Sequence, residues 1–136
     1  DDYGHHPTEV FVTLKAARSA FPGRRIVMVF QPHRYSRTRD HLDEFVSVLS
    51  EVSSLILLDV YAAGEAHLKE ADTNTLACCI RKRGEVNPIV VLEQQRLAEV
   101  LIDILQDNDV LLMQGAGDIG GLAAAISEAS SLEMLK

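Results

Sequence analysis

The 136-residue chain has the length of one ordinary domain, and a content of 47% hydrophobic and 24% charged residues is typical of a globular protein with a sizeable core. Its formal net charge of −7 argues against the broad basic face of a nucleic-acid-binding domain, so no nucleic acid is expected among its partners. No apolar run approaches the roughly 18 residues of a membrane-spanning helix, and no membrane contact is expected either.

Helix and strand signals alternate along the first part of the chain. Pro7 suits the first turn of a helix, whose apolar residues recur at helical spacing until Pro22-Gly23 ends it. Ile26–Phe30 is a continuous apolar run, which is typical of a strand buried on both faces. A polar loop follows, and Ser36 is placed as the N-cap of the next helix.

The same order repeats along the rest of the chain. Asp72 is placed to cap a helix that ends at Gly84. Apolar runs and helical spacing predict further elements: strands over 55–60, 88–92 and 109–113, and helices marked by residues 97–105 and 119–129. Four strands separated by amphipathic helices predict right-handed βαβ units. The predicted fold class is α/β, a Rossmann-like three-layer sandwich with a mostly parallel sheet, and residues 1–136 are predicted to form one domain.

The two cysteines, Cys78 and Cys79, are adjacent and lie inside a helical pattern. Neighbouring cysteines seldom pair with each other, so we expect reduced thiols and a cytosolic setting. Their simplest role is that of small residues that pack in a helix.

In sheets of this kind, ligands bind beyond the carboxyl ends of the strands. Four segments are predicted to share that edge: Gln31–Ser36, Tyr61–Ala71, Glu93–Gln94 and Gln114–Gly121. Arg34 and Arg37, in and just after the first of them, each offer a planar fork of donors that matches a carboxylate or a phosphate. They could instead pair with surface acids, a common arrangement that contributes little. Three arginines and a histidine at the end of one strand favour a site for a small anion.

Gln114–Gly120 contains the pattern G-x-G-x-x-G between a predicted strand and a predicted helix, as in dinucleotide-binding sites. That fingerprint belongs on the first βα turn, with an acidic ribose ligand about 20 residues further along. Here only 16 residues follow Gly120, and no strand remains to carry the acid. A close-packed βα turn is therefore the favoured interpretation. The chain also has no G-x-x-x-x-G-K-[ST] loop that could grip a triphosphate alone and no G-x-S-x-G elbow.

The opening stretch Asp1–His6, D-D-Y-G-H-H, combines residue types that can bind zinc. Adjacent histidines point in divergent directions, however, and the remaining ligands would have to come from elsewhere in the fold. No metal site is predicted, and a polar seam that contacts a nucleotide or a substrate fits better.

D-D-Y-G-H-H-P-T-E at residues 1–9 and F-Q-P-H-R-Y-S-R-T at residues 30–38 together resemble the C-terminal domain of the Mur ligases, the ATP-dependent enzymes of peptidoglycan precursor synthesis. D-V-Y-A-A-G-E-A at 59–66 and Q-G-A-G-D-I-G at 114–120 also match, so the resemblance spans the whole chain. Within the family, the chain most resembles the members that join L-alanine to UDP-N-acetylmuramate. The murein peptide ligases of cell-wall recycling share the H-H-P opening but lack H-R-Y-S-R-T. The segment His67–Glu70 departs from the proline-containing form of these ligases, which affects only the local loop shape.

The resemblance implies a three-domain enzyme in which this chain is the C-terminal, amino-acid-binding domain that closes the active site. ATP and Mg²⁺ would be bound mainly by the central domain and the UDP-sugar by the N-terminal one, so the isolated chain is expected to be inactive. The implied reaction is a two-step ligation through an acyl phosphate. The domain would pack on the other two domains of its own chain, in the bacterial cytoplasm.

The resemblance also implies roles for particular residues. Arg34 and Arg37 would hold the carboxylate of L-alanine, and Asp2 would lie toward the nucleotide ribose. Three other residues would line the amino-acid pocket: Tyr3, His5 and His33. Of these, His5 would lie near the reacting phosphate and act in catalysis.

Three alternatives remain open. Within the family, the chain could come from a murein peptide ligase. A free-standing nucleotide-binding α/β module would bind a dinucleotide tightly by itself. A non-catalytic regulatory domain would need no neighbouring domains and would tolerate the loss of Arg34.

Overall fold

The structure, a computed structural model, describes residues 6–115 of the chain. Helices and strands alternate in that range, with two short 3₁₀ turns between them. In chain order the elements are α1 Pro7–Ala20, β1 Ile26–Gln31, α2 Tyr35–Asp40, α3 Leu42–Leu49, β2 Ser54–Leu58, a 3₁₀ turn Lys69–Ala71, α4 Thr73–Arg83, β3 Ile89–Val91, a 3₁₀ turn Gln94–Arg96, α5 Leu97–Ile104 and β4 Val110–Gly115. The predicted last helix, over 119–129, lies outside the described residues, and the prediction of a single domain over 1–136 remains a prediction.

The four described strands form one sheet in the order β3-β2-β1-β4, and every neighbouring pair is parallel. Phe30 of β1 lies beside Leu57 of β2 on one edge and beside Gln114 of β4 on the other. β1 is thus an inner strand, hydrogen-bonded along both edges. The prediction of an α/β fold with a parallel sheet is confirmed.

Helices cover both faces of the sheet, because the strands are apolar on both faces. Alternate β1 residues such as Met28 and Phe30 pack with α1, α3 and α4 in one core cluster, while Val29 packs with α5 in a second. All six residues of β1 are buried. Each large apolar side chain buried in this way contributes about 1.5–3 kcal/mol of transfer free energy, so β1 is the most firmly held element of the described fold.

Local signals place several helix ends correctly. The Asp72 carboxylate accepts a hydrogen bond from the Thr75 N–H at 2.9 Å, so it caps α4 as predicted, and α4 ends at Gly84, whose φ of +84° suits a glycine. The helix predicted after the first strand is divided at His41 into α2 and α3. No helix in the described range is long and apolar enough to cross a membrane.

The adjacent cysteines lie on α4, as the helical pattern predicted. Cys78 is exposed and Cys79 is half-buried, and both are free thiols. Their neighbours Ala77 and Ile80 are fully buried in the larger core cluster. The cysteines therefore lie at the border of the helix face that packs on the sheet.

The amino ends of β1 and β4 are joined by an ion pair between Arg25 and Asp109. Arg25 donates two hydrogen bonds to the carboxylate, from Nε to Oδ1 at 3.0 Å and from Nη2 to Oδ2 at 2.7 Å. The Gln106 N–H also donates to Oδ2, at 2.8 Å, and the Asp109 side chain is only 5% exposed. The hydrogen bonds from Arg25 hold the pKa of Asp109 below its usual value, although burial acts in the opposite direction.

Asp109→Asn should lower the free energy of unfolding at pH 7 by about 1.5–3 kcal/mol, the usual contribution of hydrogen bonds to charged groups. The charged carboxylate carries this stability. It is therefore fully present above the ordinary pKa of about 4 and is lost as the pH falls through the lower native pKa. Urea unfolding at pH 7, and in steps below pH 4, measures both effects. Asp107→Asn, at an exposed position of the same loop, is the control, and equal losses in the two variants at pH 7 would contradict the prediction.

Candidate functional site

The order of the strands locates the site. From β1 the chain adds β2 and then β3 on one side, and it returns to place β4 on the opposite side of β1. The topological switch point therefore lies between the carboxyl ends of β1 and β4, where α/β sheets of this kind bind their ligands. The loop after β1 begins at this point. Of the predicted functional residues, His33, Arg34 and Arg37 lie in or next to the loop after β1.

The loop after β1 is joined to the loop after β2 by backbone hydrogen bonds that extend the parallel pairing beyond the strands. Tyr61 N–H donates to the Pro32 carbonyl and Arg34 N–H donates to the Tyr61 carbonyl, each at 2.8 Å. His33 and Tyr61 form an isolated parallel bridge, and their rings stack with centroids 5.6 Å apart. These contacts make the two loops one structural unit, which we call the rim.

Arg34 has an unusual backbone conformation at the rim, with φ +70° and ψ +140°. A non-glycine residue rarely adopts positive φ outside the left-handed helical region, and such outliers cost of order 1–3 kcal/mol and cluster at functional sites. The surrounding hydrogen bonds impose it, because the Arg34 carbonyl accepts from both the N–H and the hydroxyl of Thr38. The Arg34 guanidinium is exposed and makes no hydrogen bond or ion pair with the described residues.

Arg37 contacts His33 across the first turn of α2. Its Nη1 lies 2.7 Å from Nδ1 of His33 and 3.4 Å from the His33 carbonyl oxygen. Because an arginine side chain can only donate hydrogen bonds, Nδ1 must be the acceptor, and the ring proton of His33 is therefore assigned to Nε2. The contact orients both side chains of this half-buried pair at the carboxyl end of β1.

The prediction that Ser36 is the N-cap of the second helix is wrong. The helix begins two residues earlier than predicted, at Tyr35, and its N-cap residue is Arg34, whose side chain makes no capping bond. Instead Glu65, from the loop after β2, accepts a hydrogen bond from the Ser36 N–H at 3.1 Å and another from its hydroxyl. These hydrogen bonds from Ser36 lower the pKa of Glu65, and the nearby charge of Arg34 acts in the same direction.

A small apolar cluster packs next to the rim. Tyr35 is buried and packs with Val60 and Ala71. Its ring forms a T-shaped contact with the ring of His67, with the two centroids 5.3 Å apart. Burial raises the pKa of Tyr35, and neighbouring carboxylates raise it further. Burial also disfavours the charged form of Asp72, yet hydrogen bonds from Thr75 and His67 outweigh it and lower the pKa of that carboxyl. Both groups therefore keep their ordinary protonation states near neutral pH.

Two buried glutamines lie at the carboxyl ends of the strands that flank the switch point. Gln31 ends β1 and Gln114 is the penultimate residue of β4. The side-chain amide of Gln31 donates to the Asp59 carbonyl at 3.4 Å and that of Gln114 to the Thr13 hydroxyl at 3.2 Å. The amide oxygens of both are buried and have no hydrogen-bond partner within residues 6–115. Unpaired buried polar atoms are uncommon and cluster at sites of function or strain.

Gly115 follows Gln114 and packs directly against β1. Its φ is +146°, and a Cβ atom at this position would lie 2.5 Å from the carbonyl oxygen of Gln31. The first glycine of the G-x-G-x-x-G pattern is thus required by close packing between strands. This contact supports the structural interpretation of that motif, whose remaining glycines, Gly117 and Gly120, lie outside the described residues.

The other predicted site residues cannot be placed in the same way. Asp2, Tyr3 and His5 lie outside the described residues, so their roles remain predictions. Within 6–115 no group of three or more His, Cys, Asp or Glu side chains is arranged to hold a metal ion. The sequence did not predict a role for two residues of the rim. Tyr61 forms backbone hydrogen bonds with Pro32 and Arg34, and Glu65 caps α2. The sequence gives one indirect signal for the role of Glu65. Arg34 directly precedes α2 and has no side-chain acceptor, so the cap of this helix must come from another residue.

Two clefts of the described surface are not lined by Arg34 or Arg37. One, of about 420 Å³, is lined by Arg81 and residues 84–87 at the end of α4. The other, of about 450 Å³, runs along the edge strand β3 and includes Arg96.

The sequence matches the family profile described as Mur ligase, glutamate ligase domain, over residues 1–117. It is 58% identical over 127 residues to a UDP-N-acetylmuramate–L-alanine ligase of Psychrobacter sp. (strain PRwf-1), a match that covers 93% of this chain and 26% of that protein. The chain thus spans about a quarter of the length of this relative.

Two solved structures have a similar fold. The UDP-N-acetylmuramate-alanine ligase of Thermotoga maritima matches with a TM-score of 0.74 and 25% identity, over 96% of this chain and 26% of that one. A murein peptide ligase of Psychrobacter arcticus 273-4 matches with a TM-score of 0.71 over 95% of this chain and 26% of that one. At 16% identity, the second match supports the fold alone.

Gly115→Ala should lower the free energy of unfolding by roughly 2–4 kcal/mol, because the new methyl group overpacks the β1–β4 contact and the backbone conformation is strained. Gly84→Ala is the control: its φ is also positive, but no atom lies within 4 Å of the added carbon. It should cost only about 1–2 kcal/mol. Urea unfolding of both variants measures the difference. Equal costs, or micromolar binding of NAD to the unchanged chain in calorimetry, would contradict the structural interpretation of the motif.

Proposed function

The chain belongs to the Mur ligase family, and because it corresponds to the C-terminal domain of that family, we propose that it is the amino-acid-binding domain of the ligase that joins L-alanine to UDP-N-acetylmuramate. The 58% identity to such a ligase supports this choice of substrates. The full-length enzyme would contain two further domains, on which this one packs to close the active site. We place it in the bacterial cytoplasm, where these precursors are made.

The observation that carries the proposal is the arrangement of Arg34 and Arg37 at the carboxyl end of β1. Arg34 presents an exposed guanidinium without a partner among the described residues, on a backbone that its neighbours hold in a strained conformation. Arg37 is oriented by His33 at 2.7 Å. Guanidinium groups bind carboxylates through paired, charge-assisted hydrogen bonds. The two arginines would therefore hold the carboxylate of L-alanine, with His33 beside them.

Holding the carboxylate serves the chemistry of the ligation. The nucleophile is the alanine amine, and it reacts only when its nitrogen faces the activated carboxyl carbon of the muramoyl sugar. Fixing the opposite end of so small a molecule limits the positions that the amine can take, and such positioning can supply several kcal/mol of the barrier. We assign Tyr3 and His5 to the same pocket, with His5 near the reacting phosphate and Asp2 toward the nucleotide.

ATP and Mg²⁺ do not fit the described residues of this chain. The sequence has no phosphate-gripping P-loop, and residues 6–115 hold no converging set of metal ligands. We therefore assign both to the remaining domains of the full-length enzyme. Bound there, ATP supplies the phosphoryl group that converts the muramoyl carboxylate into an acyl phosphate.

The alternatives are less well supported. For a murein peptide ligase, the solved structure has only 16% identity to this chain, against 58% for the alanine ligase relative. A free-standing dinucleotide-binding module carries the G-x-G-x-x-G fingerprint on the first βα turn of its sheet, whereas here the motif begins at the end of β4. A purely regulatory domain gives no reason for the strained backbone at Arg34.

In the full-length ligase, Arg34→Ala should raise the KM for L-alanine and lower kcat/KM by roughly a hundredfold or more, because truncating one partner of a hydrogen-bonded charge pair costs ~2–5 kcal/mol. Arg34→Lys should recover only part of the loss, since an ammonium group cannot reproduce the planar fork. The KM values for ATP and for the UDP-sugar should change little. Steady-state kinetics with each substrate varied in turn measures all three.

Arg39→Ala is the matched control for this experiment. Arg39, the third arginine after the first strand, lies in α2, is exposed and, within residues 6–115, forms an ion pair with the neighbouring Asp40. Its loss should leave the KM for alanine unchanged. If Arg34→Ala instead weakens binding of ATP or the UDP-sugar and leaves alanine unaffected, the assignment of the arginine to the amino acid is wrong.

The isolated 136-residue chain should fold but release no phosphate from ATP. Its sheet is complete enough to bury β1 on both faces, whereas a P-loop is absent from its sequence. The test mixes the purified chain with ATP, Mg²⁺, UDP-N-acetylmuramate and L-alanine and measures inorganic phosphate, with circular dichroism to verify folding. Phosphate release above that of a heat-inactivated sample would show that the chain holds ATP by itself.

A further inference from the structure

The first turn of α2 is capped from a distant loop. Its N-cap residue, Arg34, has no acceptor atom in its side chain and makes no capping bond. Ser36 N–H donates to Oε1 of Glu65 at 3.1 Å, and the Ser36 hydroxyl donates to Oε2 of the same carboxylate. The two residues are 29 positions apart in the chain. The start of α2, and with it the position of the arginines, therefore depends on Glu65.

A tight turn presents Glu65 to the helix. The Glu65 N–H donates to the Ala62 carbonyl at 3.1 Å, and the two central residues, Ala63 and Gly64, have φ values of +52° and +88°. Positive φ at both central positions is the mark of a type I′ turn. Alanine adopts this conformation only where the surrounding structure imposes it. The turn is thus held in a specific shape that directs the carboxylate at Ser36.

The same two loops also fix the backbone of Arg34. Its N–H is bonded to Tyr61, four residues before Glu65, and its carbonyl accepts two hydrogen bonds from Thr38 of α2. Arg34 is therefore held between the loop that carries Glu65 and the helix that Glu65 caps. Glu65 makes no direct ion pair with Arg34 among the described contacts, so the guanidinium stays available to an external anion.

We propose that Glu65 is a positioning residue for amino-acid binding: its two hydrogen bonds to Ser36 hold the start of α2 so that Arg34 and Arg37 face the substrate carboxylate. This inference rests on the proposed function, because the ligand is the carboxylate of the amino acid assigned there.

The test uses Glu65→Ala in the full-length ligase. Removing the cap should raise the KM for L-alanine about tenfold, a factor that corresponds to about 1.4 kcal/mol. The KM values for ATP and the UDP-sugar should stay within twofold. Glu65→Gln should restore part of the loss, because its amide oxygen can still accept the Ser36 N–H. Glu70→Ala, at an exposed position of the same loop, is the control and should have no effect.

A double variant tests whether Glu65 acts through the arginine. If it does, adding Glu65→Ala to Arg34→Ala should raise the KM for alanine by clearly less than tenfold, because one of the two groups being positioned is already gone. A full additional tenfold increase, or an equal rise in the KM for all three substrates, would overturn the proposal in favour of a general structural role. A change of less than twofold in the single variant Glu65→Ala would overturn it as well.

Ser36→Ala provides a second test if Glu65→Ala does not fold. It removes the hydroxyl donor and keeps the backbone N–H bond, so it should raise the KM for alanine two- to fivefold, and no change would overturn the proposal.

The results for these variants also distinguish a failure of this inference from a failure of the proposed function. If Arg34→Ala raises the KM for alanine while the variants of Glu65 and Ser36 do not, only the positioning role fails. If Arg34→Ala has no effect on alanine, the proposed function fails first.

Discussion

The site depends on one constraint: β1 is fixed along both of its edges and on both of its faces. The strand is hydrogen-bonded to a parallel neighbour on each edge and is buried on both faces, so its carboxyl end has one position in the fold. The polar loop begins directly at that end, next to the switch point between β1 and β4. Arg34 and Arg37 can therefore be presented at a defined place although they lie on an exposed rim.

At the rim, the groups proposed to bind the carboxylate differ from the groups that hold the backbone in position. Arg34 is unpaired within the described structure, while Tyr61 fixes its backbone and Glu65 fixes the helix behind it. Arg37 combines both roles, since it is oriented by His33 and still carries donors that His33 does not use. The anion site that we propose would have its framework in place before the ligand arrives, which would lower the ordering cost of binding.

Periodicity predicted the elements because most of their determinants are local. The apolar run of β1 and the cap of α4 by Asp72 each depend on residues a few positions apart, and both were predicted correctly. Ser36 was predicted as the cap because it is the polar residue nearest in sequence to the start of the helix. The true acceptor, Glu65, is brought there by tertiary structure. In the same way, the sequence indicated that the arginines share a rim with the loop after β2, yet neither the stacking of His33 on Tyr61 nor the backbone strain at Arg34 has a local signature.

The ion pair between Arg25 and Asp109 has a consequence for how the chain reaches this structure. It joins residues 84 positions apart, and the β1–β4 pairing that it accompanies closes a loop containing β2, β3 and most of the helices. Contacts of such long range form slowly, because the entropy of closing the loop must be lost before the contacts can compensate for it. During synthesis, the loop after β1 would leave the ribosome long before β4, so the switch point at the end of β1 would be complete only when that strand docks. The amino-acid binding that we propose would therefore be among the last properties that this domain acquires as it folds.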